Sequence, residues 1–268
     1  MSRFEIQQGR GLIRFIHFFN YPKNISIEDG EKWYFSQHVP EAKQLPGLVR
    51  FRSWRGLPPI KMWTYDSYDR FMRVSELAFE NAELCLKATI HNPGLWGSAT
   101  GNNSGFNELE CVMVNEEPQF DLLKDVPVQQ FKYLHLPPKY TGDEPDYDES
   151  DDTFLDIYMF NYRVSNADGE DWYLGHHTRE GRITKQLGRR HYQTWKTLTV
   201  PEEQNSPLKP NRFYRLTELG LPDWQRGIRR PGGNPRSFVS FTRSPLGEVI
   251  NEWRNILIDP DQVQDLMP

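Results

Sequence analysis

The sequence predicts an α+β chain, two tandem β-α-β-β-α-β units whose antiparallel sheets pack into one pseudo-twofold barrel. Three observations carry that prediction. The stretch I-H-F-F-N-Y at 16–21 returns as I-Y-M-F-N-Y at 157–162. A W-Y pair follows each, at Trp33-Tyr34 and Trp172-Tyr173, with His38 and His177 five residues beyond the tryptophans. The echo then continues in order, R-F-R-S-W (50–54) against H-Y-Q-T-W (191–195), and R-F-M-R-V-S-E-L (70–77) against R-F-Y-R-L-T-E-L (212–219). Ordered self-similarity on this scale is an internal duplication.

Within each copy the hydrophobic period sets the elements. I-H-F-F-N-Y alternates as a strand, sending His17, Phe19 and Tyr21 one way and Ile16, Phe18 and Asn20 the other. The apolar Ile16 and Phe18 are assigned to the helix-covered side, which turns His17 and its counterpart Tyr158 to the opposite face. Asp29-Gly30 and Asp168-Gly169 read as turns opening helices that carry Trp33 and Trp172 early. In the next strand Arg50, Arg52 and Trp54 share a face, with His191, Gln193 and Trp195 in register. The third strand puts Arg73 and Ser75, like Arg215 and Thr217, on one face and Glu76, like Glu218, on the other. Both copies run on through N-P (92–93, 234–235) to a last apolar strand, C-V-M-V (111–114) and I-L-I-D (256–259).

This order of elements is the ferredoxin-like unit. Its sheet has helices on one face only, so the open face needs a cover, and a second copy in the same chain supplies it. Units are expected at 1–117 and 153–268. The segment 118–152 joins them as a linker or lid: it is Pro-rich, ends in D-E-P-D-Y-D-E-S-D-D, and holds V-Q-Q-F-K-Y-L-H-L (128–136), too apolar for a pure linker. A second insert, 57–69, places Met62, Trp63, Tyr65 and Tyr68 between strands, either as edge packing or as ligand contacts.

Composition narrows the function. A net charge of −5 and a pI near 5.8 argue against a nucleic-acid binder, which needs a basic face. Cys85 and Cys111 make no metal or redox spacing, so a reduced, cytoplasmic chain is expected. The first residues lack the apolar stretch of a secretion signal, and no run reaches the length of a membrane span. H-E-x-x-H, CxxC and P-loop patterns are absent from the sequence, so no metal ligands and no cofactor are expected.

On W-Y-F-S-Q-H-V-P-E-A (33–42), L-P-G-L-V-R-F-R (45–52) and V-S-E-L-A-F (74–79), the chain resembles the EthD-like group of dimeric α+β barrel proteins. The resemblance covers residues 12–117 and, more loosely, 154–260. K-W-Y-F-S-Q-H-V-P-E is similar to the first half of the tandem-fused bacterial chalcone isomerases. It implies cofactor-free isomerase, lyase or cyclisation chemistry, in some members oxygenation, on aromatic or polyketide-like molecules inside the barrel. The acid/base role of the H-x-P histidine carries over to His38, with His177 as its twin. After His177 the chain reads T-R-E, so the motif's proline is missing there.

The residues read alone fit such chemistry. Histidine titrates near neutrality and suits proton transfer. Tyr34 and Tyr173 stand four residues before the histidines, on the same helical face, where a phenol could hold a reacting oxygen or orient the ring. Alternatively the tyrosines pack and the histidines cap a helix end near Pro40. Arg50, Arg52, Arg73 and Arg215 form either structural ion pairs or a clamp for a substrate carboxylate or phenolate. His17, Tyr158, His191 and Trp54 complete the expected lining of one shared cavity. The expected protein is therefore a cofactor-independent isomerase or lyase for a small aromatic compound. An oxygenase or cyclase of the same fold and a non-catalytic ligand-binding module are the alternatives. No nucleic acid or membrane partner is expected, and exposed sheet edges would allow a homo-oligomer.

Overall fold

The structure, a computed structural model, describes residues 11–57, 71–91, 97, 105–124, 153–178, 191–200, 208–222 and 249–267. The aromatic insert with Met62, Trp63, Tyr65 and Tyr68 lies outside the described residues. So do 128–136, the acidic run, the two N-P pairs and the expected second helix of the second unit.

The first unit runs β1 (Ile13–Asn20), α1 (Ile27–Trp33), a π-helical turn (Tyr34–His38), α2 (Val39–Ala42), β2 (Leu48–Arg55), β3 (Arg73–Phe79), α3 (Ala82–Thr89) and β4 (Glu108–Asn115). After the short β5 (Phe120–Asp121) the second unit repeats it. Its described elements are β6 (Thr153–Tyr162), α4 (Asn166–Trp172), a π-helical turn (Tyr173–His177), β7 (Tyr192–Lys196), β8 (Arg215–Pro222) and β9 (Ile250–Ile258). The chain closes on β10 (Gln264–Asp265).

The two antiparallel sheets have the same order, β2-β3-β1-β4 and β7-β8-β6-β9, and each receives a fifth strand from elsewhere in the chain. β10 pairs with β2 of the first sheet, Asp265 opposite Arg52, and β5 pairs with β7 of the second, Phe120 opposite Thr194. The β2 and β7 edges are thereby covered, and β4 and β9 remain the outer strands at the other side of each sheet.

Helix entry is set by capping rather than by the Asp-Gly pairs. The Ser26 hydroxyl accepts from the Asp29 N–H at 3.0 Å, and Ser165 accepts from Asp168 at 3.2 Å. Each caps a helix that already contains the Asp-Gly pair. Gly30 and Gly169 serve close approach instead. A Cβ on either would fall 2.4 Å and 2.2 Å from the rings of Tyr21 and Tyr162.

The two sheets face each other across an apolar layer. Ile16, Phe18, Val74, Val112 and Val114 of the first pack with Ile157, Met159, Trp195, Leu216, Ile256 and Ile258 of the second. Each such side chain contributes roughly 1.5–3 kcal/mol by leaving water. Backbone bonds tie the sheets at two corners, Leu57 N–H to the Leu257 carbonyl and Leu198 N–H to that of Met113, both 2.8 Å. This reverses the expected facing of β1. Ile16 and Phe18 look into the sheet–sheet layer, whereas His17 and Tyr158 look towards the helices. The reason is physical: every residue of β1 except Asn20 is buried, so apolarity marks both faces alike. Cys85 and Cys111 are buried free thiols, and burial pushes Cys111 up to about 12. Among the described residues, no helix is long and apolar enough to cross a membrane.

Candidate active site

His38 sits in the π-helical turn between α1 and α2, fully buried under the helix-covered face of the first sheet. The helix continues past it through Pro40, so His38 does not cap a helix end. The i, i+4 spacing stacks its imidazole on the Tyr34 ring, centroids 5.3 Å apart, and Trp33 stacks at 5.7 Å. Phe106 meets it edge-on at 4.9 Å, and His17 of β1 stands at 6.1 Å. Gly105 lets this wall close: a Cβ there would lie 2.2 Å from the Trp33 ring. Burial, with the charge of His17 adding to it, holds the His38 pKa well below the usual imidazole value. Burial alone brings His17 down to about 3. Both rings are therefore neutral at neutral pH.

Tyr34 does not offer its phenol to this wall. Its hydroxyl shares a 2.8 Å hydrogen bond with Ser75, which shares one of 3.1 Å with Ser53. Arg73 donates to Ser53 at 3.1 and 3.2 Å and to Glu31 at 2.6 Å, while Tyr21 donates to Glu31 at 2.7 Å. A further bond joins Arg73 to Gln264 of β10. The guanidinium also lies 4.7 Å over the Tyr34 ring. The second unit copies every link. Tyr173 bonds Thr217 at 2.7 Å, Thr217 bonds Thr194 at 2.9 Å, and Arg215 donates to Thr194 at 2.8 Å and to Glu170 at 2.6 Å. Tyr162 closes the copy by donating to Glu170 at 2.8 Å. Burial alone would raise the Glu170 carboxyl, but its bonds with Arg215 outweigh that and lower it. Arg73 and Arg215 are thus held in ion pairs with Glu31 and Glu170, in the packing layer between sheet and helix.

The remaining expected residues lie on the other side of the sheet, so they do not share a cavity with His38. Arg14 donates to Glu76 at 2.7 Å and across to Glu218 of the other sheet at 2.6 Å. Arg50 binds Glu76 and Glu116, each at 2.9 Å, and His191 meets Glu218 at 3.1 Å. Against the effect of burial, Arg14 and His191 bring Glu218 down to about 2. Arg52 pairs with Asp265, and Trp54 donates to the Pro260 carbonyl at 3.4 Å. A cavity of about 150 Å³ borders Arg14, Arg52, Trp54, Glu76 and Glu218. His38, Tyr34 and His17 do not reach it. His177 stacks on Trp172 at 5.1 Å and Tyr173 at 5.4 Å and is partly exposed, a looser version of the His38 arrangement.

Sequence reading missed Arg14, Phe106 and the paired hydroxyls. A signal existed for the last. Ser53 and Ser75 of one copy stand where Thr194 and Thr217 stand in the other, so the hydroxyl repeats although the residue changes.

No protein-family model matches the chain, and no curated protein sequence matches it significantly. Solved structures do. An anthrone oxidase-like protein aligns over 97% of this chain and 95% of its own, with a TM-score of 0.52 and 10% identity. A chlorite dismutase from Candidatus Nitrospira defluvii aligns over 94% and 92%, at 0.43 and 9%. An EthD family protein from Bacillus halodurans aligns over 40% of this chain and 99% of its own, at 0.31 and 18%. The first likeness is one of fold: a tandem, two-sheet α+β protein of the ferredoxin-like kind.

Proposed function

We propose that the protein is an acid/base enzyme of the isomerase or lyase type, acting without a cofactor on a small aromatic compound. The neutral imidazole of His38 is its base. One observation carries this reading: a fully buried histidine, held neutral and walled by Trp33, Tyr34 and Phe106. The imidazole already stacks on Trp33 and Tyr34, so a flat substrate ring fits against it where Phe106 now stands. Burial keeps the imidazole unprotonated. It takes the proton of an acidic C–H or O–H once the negative charge developing on a bound substrate lies beside the imidazolium and offsets the cost of burying it, then returns that proton elsewhere. Tyr34 orients the imidazole from below, and the Ser75–Ser53–Arg73 chain holds Tyr34. Substrate reaches His38 by displacing Phe106 from its edge. The similarity of K-W-Y-F-S-Q-H-V-P-E to bacterial chalcone isomerases supports an internal proton shift as the outcome.

A second reading shares the first step. The anthrone oxidase-like neighbour favours a substrate carbanion that dioxygen then takes up. One experiment separates the readings: incubate the protein with phenolic acids, chalcones and lignin dimers, and follow product mass and oxygen together. Unchanged mass without oxygen uptake supports isomerisation, loss of water or carbon dioxide a lyase, and oxygen uptake the oxygenase. Turnover that survives His38→Ala overturns both.

A further inference from the structure

At one position the helix-covered face of the second sheet is polar where that of the first is apolar. With I-H-F-F-N-Y laid on I-Y-M-F-N-Y, Asp156 takes the place of Phe15, and Tyr158 that of His17. On the neighbouring strand Asn255 stands opposite Tyr158, as Cys111 stands opposite His17. An apolar pair, Phe15 and Cys111, has become a hydrogen-bonded one: Asn255 Nδ2 donates to Asp156 Oδ1 at 3.0 Å.

That bond orients the amide. Asn255 Oδ1 is left as an acceptor beside the carboxylate, in a side chain only 5% exposed. Among the described residues it meets no hydrogen-bond donor. A buried amide oxygen without a donor is costly and marks a place where a donor from outside belongs. Asp156 itself is partly exposed, so one edge of the otherwise buried pair comes to the surface, and a ligand reaches the amide oxygen from that edge. Rings flank it: Trp253 stacks on Tyr158 at 4.2 Å and 15°, and on Phe160 at 5.7 Å. The Tyr158 hydroxyl is turned to that of Tyr173, 3.4 Å away. Burial, opposed by the Asn255 bond, brings the Asp156 carboxyl up to about 7.

We propose that Asp156 and Asn255 form a second ligand site, separate from His38, for an aromatic compound with two neighbouring hydroxyls, of the catechol kind. Two acceptors side by side match two adjacent O–H donors, and the partly exposed Trp253, backed by the buried Tyr158, gives the ring a flat surface to pack on. None of the His38 wall takes part, so the site stands or falls apart from the proposed reaction.

The test is calorimetric titration of the full chain with catechol and with veratrole, its dimethyl ether, which keeps the ring and loses both donors. The His38→Ala variant is expected to bind catechol as the parent does and not to bind veratrole. Asn255→Cys, which copies the first unit's own residue and is the decisive variant, is expected to weaken catechol binding at least tenfold while melting as the parent does. Asp156→Leu should do the same. Catechol binding that is missing in His38→Ala, unchanged in Asn255→Cys or matched by veratrole overturns the proposal. Turnover of His38→Ala is read separately and judges only the reaction at the first site.

Discussion

The ring of Tyr34 lies under the imidazole of His38, centroids 5.3 Å apart and planes 27° from parallel, while its hydroxyl bonds Ser75 at 2.8 Å. One residue therefore faces two ways. Its ring belongs to the candidate active site and its phenol to the scaffold beneath.

This division predicts different outcomes for two substitutions. Tyr34→Phe keeps the ring and loses the bond to Ser75, which should cost about 1–2 kcal/mol of stability and change turnover only a few-fold. His38→Ala should lower turnover by roughly 100-fold or more. Denaturant unfolding and kinetics on both variants check this. A Tyr34→Phe enzyme that is stable but inactive would place the phenol in the chemistry.

Much of this arrangement is legible in the sequence. The repeat gives the element order, the helix that carries Tyr34 and His38 on one face, and the parity that separates Arg73 from Glu76. What the sequence hides is which face of β1 meets which layer. His17 and Phe18 are both fully buried, and a strand buried on both sides has no polar stripe to label them. Partners far apart in the chain are hidden too. Arg14 and Glu218 are joined only once the sheets meet, and no local spacing relates them. The sequence-level expectation of one cavity lined by Arg50, His191, His17 and Tyr158 failed on that point.

Acid should unfold the protein through its neutral histidines. In the unfolded chain His17 protonates near 6.5, whereas in the folded protein it does so only at about 3. Between those values the unfolded state binds the extra proton, so stability is full above about pH 6.5 and falls as pH drops towards 3. The slope is about 1.4 kcal/mol per pH unit for one such group, and His38 acts in the same direction. His17→Phe should shed its share of the slope. Urea midpoints at pH 7 and pH 5 for parent and variant measure it, and equal losses on acidification in both would refute the assignment.

The Arg14 bridge between the sheets predicts a large effect from a small change. Arg14→Met fills similar space but leaves Glu76 to Arg50 alone and Glu218 to His191 alone in the sheet–sheet layer, which should cost up to roughly 3–5 kcal/mol. The sign with pH is fixed by Glu218, whose folded pKa of about 2 lies below the usual 4.5. Its stabilising effect is present above about pH 4.5 and lost as pH falls through 2. The gap between parent and variant should therefore be wide at pH 7 and narrow near pH 3. A constant gap would mean that Arg14 matters only for packing.

Gly30 predicts a reversal of an ordinary rule. Replacing a helical glycine by alanine normally stabilises by up to about 1 kcal/mol. Here the added Cβ would meet Tyr21 at 2.4 Å, and Tyr21 cannot swing away cheaply because its hydroxyl donates to Glu31 at 2.7 Å. Glu31 in turn holds Arg73, which lies over the Tyr34 ring, so the clash is transmitted towards His38. Gly30→Ala should destabilise by about 1–3 kcal/mol and lower turnover as well. Gly169→Ala meets the twin ring of Tyr162 and should destabilise by a similar amount, with turnover kept if only the first unit reacts. Gly175 has open space around its Cβ position and serves as the control, so Gly175→Ala should be neutral or stabilising. Thermal unfolding of the three variants checks the order. A stabilised Gly30→Ala protein would mean that Tyr21 is not fixed by Glu31, and the chain of contacts from helix to imidazole would lose its first link.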